Sequence, residues 1–217
     1  MNYLKNVCIT MLSVGVLLAS VAVAETGSGP RIPMAYFTTT GTGQSDDGIP
    51  PDPYETFSYD LALDAASIKD FNVVYYTSVL PPESYEVPLT DKLKSYFHHG
   101  AVLETIMAKA GGVNGDTAVA GVGRVWAVDA GGKPVGGYAA EYEYVYNSEI
   151  DDATARKNAQ AQLDKSLDHI LQIRGLKQTG EREYDIAVTY ITKNYGMALA
   201  AICFLNFTYP DPIPVQE

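Results

Sequence analysis

The sequence has few of the residues that bind metals or form disulfides. It contains two cysteines, Cys8 and Cys203, and three histidines, His98, His99 and His169. Cys8 lies in an N-terminal apolar segment with the features of a cleaved signal peptide, so one usable thiol remains, and with the histidines it cannot supply a Cys₂His₂ or Cys₄ zinc site. The adjacent histidines do not form a good metal pair either, because neighbouring side chains on a helix or strand point in different directions. The sequence therefore predicts neither a bound metal nor a disulfide scaffold.

Basic residues are also scarce. The chain has 15 lysines and arginines against 26 aspartates and glutamates, which gives a net charge of −11 without a basic cluster. Nucleic acid is disfavoured as a partner, because proteins that bind it neutralise phosphates with clustered basic side chains. A cationic small molecule suits this balance better. With 217 residues, 47% of them hydrophobic, the chain can form one sizeable core.

Only the N-terminus carries a long apolar run. Lys5 precedes an apolar stretch from Val7 to about Ala19, and Ala22–Ala24 has the A-x-A form of a secretory cleavage site. We interpret residues 1–24 as a signal peptide, so that 193 residues remain and Cys203 is the only thiol. This predicts a periplasmic or secreted protein. The alternative is an uncleaved membrane anchor, since the apolar run approaches spanning length.

Apolar periodicity and turn residues predict one domain of mixed helices and mostly antiparallel strands over residues 25–217. Ser148-x-x-Asp151 has the form of a helix start, and Gly175 that of a helix end. The expected strands are 33–40, 71–76, 101–108, 118–128, 135–146, 184–192 and 197–207. The expected helices are 54–68 and 151–174, and residues 40–53 are expected to form a loop.

Three segments carry residues suited to chemistry. A strand runs into Thr77-Ser78 before a proline pair, Asp60 lies on the preceding helix, and Glu141 and Glu143 share one face of a later strand. From composition alone, Thr77-Ser78 is an ordinary turn. The two carboxylates are then either a solvated face or an acid/base pair.

These segments resemble the pyruvoyl-dependent arginine decarboxylases, closest to their bacterial branch, from about Pro30 to Phe207. The shared motifs, in order along the chain, are G-x-G-x-S-D-D-G-x-P-P at 41–51, Y-T-S-V-L-P at 76–81, H-G-A-V-L-E at 99–104, A-A-E-Y at 139–142 and F-L-N-F at 204–207. The resemblance implies a four-layer αββα sandwich. It also implies a homotrimer of cleaved protomers, sometimes paired into a hexamer, with active sites between neighbours.

The resemblance further implies that the precursor cleaves itself between Thr77 and Ser78. The products would be a β chain of residues 25–77 and an α chain of residues 78–217. Ser78 would become a covalent pyruvoyl group, so that neither pyridoxal phosphate nor a metal is needed. The enzyme would then decarboxylate L-arginine to agmatine and CO₂ through a Schiff base.

The family pattern also implies roles for other residues. Glu141 matches the general acid, Asn72 matches a residue that orients the carbonyl or imine, and Asp60 matches a carboxylate that binds the guanidinium. Glu143 is interpreted as a structural or rim charge.

Two alternatives remain at this point. The chain could decarboxylate another amino acid, histidine or lysine, or it could be a non-catalytic secreted trimer of the same fold. Export would place agmatine production outside the cytoplasm. Acid resistance and arginine use both fit that location, and the sequence does not choose between them.

Overall fold

A computed structural model describes residues 30–48 and 55–210, so the expected signal peptide and part of the expected loop lie outside the described residues. Within these residues the chain forms three helices, α1 Glu55–Ala65, α2 Asp91–Lys94 and α3 Asp152–Arg174. The strands are β1 Ile32–Pro33, β2 Ala35–Ser45, β3 Asn72–Tyr75, β4 Val79–Leu80, β5 Tyr85–Glu86, β6 Val102–Val113, β7 Thr117–Val128, β8 Pro134–Tyr146, β9 Lys177–Tyr190, β10 Tyr195–Phe204 and β11 Phe207–Thr208.

The strands form two main sheets. One has the order β3-β6-β10-β2-β5, the other has the order β4-β8-β7-β9, and β1 pairs with β11 in a short separate ribbon. Most pairings are antiparallel. Two are parallel: β3 pairs with β6, and β5 pairs with β2. The mixed α+β fold with mostly antiparallel sheets that the sequence predicts is confirmed.

The two sheets face each other across a core rich in alanine. Small side chains let two pleated surfaces approach closely, and larger apolar residues fill the ends of the layer. The buried residues shared between the sheets include Ala108, Ala110, Ala118, Ala120, Ala139, Ala198 and Ala200, together with Ile106, Val122, Ile202 and Phe204.

Helix α1 covers the outer face of the five-stranded sheet and explains the G-x-G sequence of β2. A Cβ atom at Gly41 would lie 2.1 Å from the Ala62 carbonyl oxygen, and one at Gly43 would lie 2.3 Å from the Ser58 carbonyl oxygen. Both glycines are paired with β10. The expectation of a loop from residue 40 is therefore wrong up to Ser45, because these glycines serve close helix packing within a continuous strand.

Helix α3 covers the outer face of the four-stranded sheet with one stripe of buried side chains. The stripe consists of Ala155, Ala159, Leu163, Leu167 and Leu171. The helix begins at Asp152, one residue after its expected start. Asp151 is the N-cap and accepts a hydrogen bond from the Thr154 amide at 2.9 Å, so Ser148 does not cap the helix. It ends at Gly175 as expected, in the left-handed conformation with φ 64°.

The strands extend further than their apolar patterns predict. β9 begins at Lys177, seven residues before the expected start at Tyr184, because residues 177–179 pair with β7 beyond a register shift. These residues are polar and exposed, so they carry no apolar signal. Similarly, β6 continues beyond its expected end at residue 108 to Val113. In residues 30–48 and 55–210 no helix is long and apolar enough to cross a membrane.

One buried guanidinium joins the edges of the two sheets. Arg124 on β7 is 5% exposed and pairs with Glu183 at 2.7 Å and Asp185 at 2.8 Å on β9. It also pairs with Glu86 on β5 of the other sheet at 2.6 Å. The Thr38 hydroxyl lies within hydrogen-bonding distance of both Glu86 and Asp185. Three carboxylates are therefore brought together by a single positive charge.

We expect Arg124→Leu to destabilise the fold by about 2–4 kcal/mol, because it leaves three carboxylates near one another without their shared counter-charge. Partial exposure of these carboxylates keeps the cost below that of a fully buried pair. Urea unfolding followed by circular dichroism measures the change. The control Lys69→Met breaks the exposed Lys69–Asp64 pair and should cost much less than Arg124→Leu, because solvent screens this pair. Equal losses in the two variants would contradict this account of Arg124.

Candidate active site

The chain crosses from one sheet to the other at residues 76–79. The Tyr76 amide donates a hydrogen bond to the Thr105 carbonyl of β6 at 2.7 Å, and its ring lies 5.7 Å from that of Phe204. Three residues later, Val79 pairs with Tyr138 of β8. The bond between Thr77 and Ser78 therefore lies in a short segment anchored to a different sheet at each end.

A tight turn holds the carbonyl that precedes Ser78. The Val79 amide donates to the Thr77 carbonyl at 3.0 Å, which forms a three-residue γ-turn centred on Ser78. The Ser78 carbonyl in turn accepts from the Ala139 amide at 3.0 Å. Outside glycine, Ser67 alone has a positive φ in the described part of the chain, so the backbone at Ser78 is not left-handed. The amide of Val79 is placed to polarise the Thr77 carbonyl.

The Ser78 hydroxyl contacts the carboxylate of Glu141. The Ser78 Oγ lies 3.0 Å from Glu141 Oε1 and 2.9 Å from Oε2. Glu141 lies on the face of β8 that is turned toward the other sheet, because Ala139 and Val145, at the same alternation, pack in the core between the sheets. The structure thus brings together two residues that are 63 positions apart in the sequence.

The surroundings of Glu141 favour its protonated form. Loss of solvent around the carboxyl raises the pKa of Glu141, although the residue as a whole is exposed in the single chain. The hydrogen bond from Ser78 opposes this shift because it stabilises the carboxylate. The negative charge of Glu143 adds to the rise in pKa. A raised pKa brings a carboxyl closer to the pH range in which it can both take and give a proton.

Glu143 is fixed by a main-chain group of the opposite sheet. Its Oε1 accepts a hydrogen bond from the Lys109 amide of β6 at 2.9 Å. The Lys109 side chain turns toward α1, where its Nζ lies 4.6 Å from the ring centre of Tyr59 and 5.9 Å from that of Tyr75. Glu143 is thus held at the sheet edge beside Glu141.

The other two expected site residues do not contact this pair within the single chain. The Asn72 side chain donates to the Gly100 carbonyl at 2.8 Å at the start of β3. Asp60 is exposed on α1, and its charge acts on Lys69. The roles expected for Asn72 and Asp60 therefore stay predictions.

The sequence did not reveal every group in the site. The contact between Glu143 and the Lys109 amide was missed, since a main-chain donor leaves no mark in a residue pattern. The Val79 amide was missed for the same reason. The shared A-A-E-Y motif pointed to Glu141, and the alternation of side chains along one strand placed Glu143 beside it.

Comparison with known proteins gives the same family as the motifs. A family model described as pyruvoyl-dependent arginine decarboxylase matches residues 35–209. The chain is 45% identical over 192 residues to the pyruvoyl-dependent arginine decarboxylase AaxB of Chlamydia muridarum, which covers 87% of this chain and 98% of that protein. With the protein of the same name from Chlamydia pneumoniae the identity is 44% over 193 residues, with the same coverage.

A more distant relative is archaeal. The pyruvoyl-dependent arginine decarboxylase 2 of Archaeoglobus fulgidus is 27% identical over 175 residues, which covers 80% of this chain and 98% of that protein.

In the Ser78→Ala variant, we expect Glu141 to titrate above the ordinary glutamate pKa of about 4.3. The variant removes the hydrogen bond that lowers the pKa of Glu141 and keeps the desolvation and the Glu143 charge that raise it. NMR of ¹³C-carboxyl-labelled glutamates measures the titration, and Ser78→Ala/Glu141→Gln assigns the resonance. An ordinary titration of the assigned resonance would show that the carboxyl is well solvated.

Proposed function

The chain belongs to the pyruvoyl-dependent arginine decarboxylase family, and we propose that it cleaves itself at Thr77–Ser78 and converts L-arginine to agmatine and CO₂. The family and the carboxy-lyase activity predicted from the sequence motifs are confirmed by the named relatives at 44–45% identity. The observation that carries the residue-level proposal is the hydrogen bond between Ser78 and Glu141, beside a Thr77 carbonyl that is already hydrogen-bonded.

In the proposed self-cleavage, Glu141 accepts the proton of the Ser78 hydroxyl, and Oγ attacks the Thr77 carbonyl carbon. The Val79 amide stabilises the oxygen on which negative charge develops. The bond between the Thr77 carbon and the Ser78 nitrogen breaks as the ester forms, and the nitrogen takes a proton. A base then removes the Ser78 Cα proton as the Cβ–Oγ bond breaks, which forms the Cα=Cβ double bond of dehydroalanine and frees the Thr77 carboxylate. Water hydrolyses the dehydroalanine to a pyruvoyl group and ammonia.

The residues present fit such a group at position 78. Ser78 has the β-oxygen that both attack and elimination require, and the main-chain bond from Ala139 to its carbonyl would hold the new chain end on β8. A pyruvoyl group there would supply a ketone for condensation with the α-amino group of the substrate and an acceptor for the electrons released with CO₂. Protonated Glu141 is then placed to deliver a proton to the substrate α-carbon.

The substrate side chain requires a further carboxylate. We assign that role to Asp60, which can pair with a guanidinium through two parallel hydrogen bonds, and we assign orientation of the reacting carbonyl to Asn72. Neither touches Ser78 within one chain, which agrees with a site completed by a neighbouring subunit. Apolar residues exposed around the crossing segment support such a contact: Val74 at 44%, Tyr75 at 50% and Val79 at 48%. We propose a homotrimer of cleaved protomers, alone or paired into a hexamer.

The contacts of the helices and sheets support a four-layer αββα arrangement for this single domain. α1 packs on β2 and β10, α3 packs on β7, β8 and β9, and the alanine-rich core lies between the sheets. We further propose that residues 1–24 direct export to the periplasm or beyond, after which cleavage gives chains 25–77 and 78–217. Maturation outside the cytoplasm fits a cofactor that the chain makes from its own serine.

The intact mass and the denaturing gel of the purified protein test the proposed cleavage. We expect two chains split between Thr77 and Ser78, with the larger blocked to N-terminal sequencing because it has no free amine. Ser78→Ala should remain a single chain without activity. The control Ser95→Ala changes an exposed serine outside the site and should cleave normally. A single intact wild-type chain would contradict the proposal and favour a non-catalytic relative.

The substrate is tested on the cleaved protein by offering arginine, lysine and histidine separately and identifying the amine products. Agmatine from arginine is the expected result. A preference for cadaverine or histamine formation would replace arginine as the substrate and retain the pyruvoyl chemistry.

Glu141→Gln should slow both reactions, because glutamine cannot take or give the proton. General acid or base catalysis contributes about 10²–10⁴-fold, so losses of that size are expected in the rate of self-cleavage and in kcat per pyruvoyl group. Gel densitometry measures the rate of self-cleavage. Chemical trapping of the pyruvoyl carbonyl counts the active sites, so that kcat can be expressed per pyruvoyl group. Glu149→Gln removes an exposed charge after β8 and should leave both rates unchanged. Unchanged rates in Glu141→Gln would remove this residue from the mechanism.

A further inference from the structure

Glu143 lies close enough to Glu141 to affect its charge. The two residues are separated by one position on β8, so both side chains face the other sheet at a spacing of roughly 7 Å along the strand. The hydrogen bond from the Lys109 amide keeps the Glu143 carboxylate in place at 2.9 Å. This contact fixes the position of the Glu143 carboxylate relative to Glu141.

The other charged groups near this face are directed elsewhere. The Lys109 ammonium lies over the Tyr59 and Tyr75 rings on the far side of β6. Glu104, which is buried on the same strand, is paired with Arg31. In the crossing segment the neutral Ser78 hydroxyl contacts Glu141, and the phenol ring of Tyr76 packs against Phe204. Glu143 is therefore the fixed charge that acts on Glu141 from its own strand, and no cation of the described residues forms a salt bridge with either carboxylate.

We propose that Glu143 is a positioning residue for the chemistry at Glu141: held by the Lys109 main chain, its negative charge favours the protonated form of the neighbouring carboxyl. This rests on the proposed function, in which Glu141 serves as base and as acid. The negative charge of Glu143 is one of the causes that raise the pKa of Glu141. Glu143 thereby extends the pH range in which an acid is available at the site.

The two reactions depend on Glu141 in opposite senses. Self-cleavage needs the ionised carboxylate, so its rate rises with pH through the Glu141 pKa. Decarboxylation needs the protonated acid, so its rate falls with pH through the Glu141 pKa of the cleaved enzyme. Removing the Glu143 charge lowers the pKa of Glu141 in the precursor and in the cleaved enzyme. The rise in the self-cleavage rate and the fall in the decarboxylation rate then both occur at lower pH.

The test uses Glu143→Gln, which keeps an oxygen acceptor for the Lys109 amide and removes the charge. The first readout is the Glu141 titration by ¹³C NMR in the uncleaved Ser78→Ala protein, with and without Glu143→Gln. We expect the titration to move down by roughly 0.5–1 pH unit, as expected for a charge about 7 Å away at a partly solvated site. Glu149→Gln is the control for net charge and should not move it.

The second readout is the pH profile of the two rates in the full-length protein. Both limbs should shift downward together in Glu143→Gln, and Glu143→Asp should restore them in part. A variant that slows the reactions without moving the limbs would show that Glu143 only caps the sheet edge, and would overturn the inference. An unmoved NMR titration would overturn it as well. Failure of wild-type cleavage would instead overturn the proposed function, since the NMR readout does not depend on cleavage.

Discussion

The structure depends on one short segment of chain that is hydrogen-bonded to a different sheet at each end. Tyr76 is bound to β6 and Val79 to β8, so only two residues bridge the gap. Successive Cα atoms are about 3.8 Å apart, which leaves little freedom in where Ser78 can lie. The chain cannot form a longer loop there. A side chain at position 78 therefore lies close to the inner edge of β8, because the residues on either side of the segment are fixed.

The alanine-rich layer between the sheets makes this short crossing feasible. Small side chains on β6, β7 and β10 keep the sheets close enough for two residues to span them. The same layer leaves its charged groups at the edges. Arg124 and its three carboxylates occupy one edge, and Glu141 with Glu143 occupies the other. Leucine side chains in this layer would move the sheets apart and would break the contacts between sheets at both edges.

The sequence predicts the long elements well, because α3, β7 and β8 carry strong periodicity and clear ends. It does not predict elements whose residues are not marked by a pattern of buried apolar side chains. Gly41 and Gly43 indicated a loop and instead allow α1 to approach β2, and the polar start of β9 pairs without an apolar pattern. In the site, shared motifs pointed to Ser78 and Glu141. Their contact across 63 positions required the fold, and main-chain donors such as the Lys109 amide have no residue signature.

The proposed self-cleavage would remove the hydrogen bond between Ser78 and Glu141. If Ser78 is converted as proposed, its hydroxyl oxygen leaves with Thr77, and the carboxyl loses the one side-chain contact that favours its ionised form. Desolvation and the Glu143 charge remain, and both favour the protonated form. The proposed self-cleavage would thus remove the hydrogen bond that favours the ionised form of Glu141, the form that the cleavage itself requires. Under the proposed function, a single carboxyl would be a base once, in self-cleavage, and an acid in every later turnover.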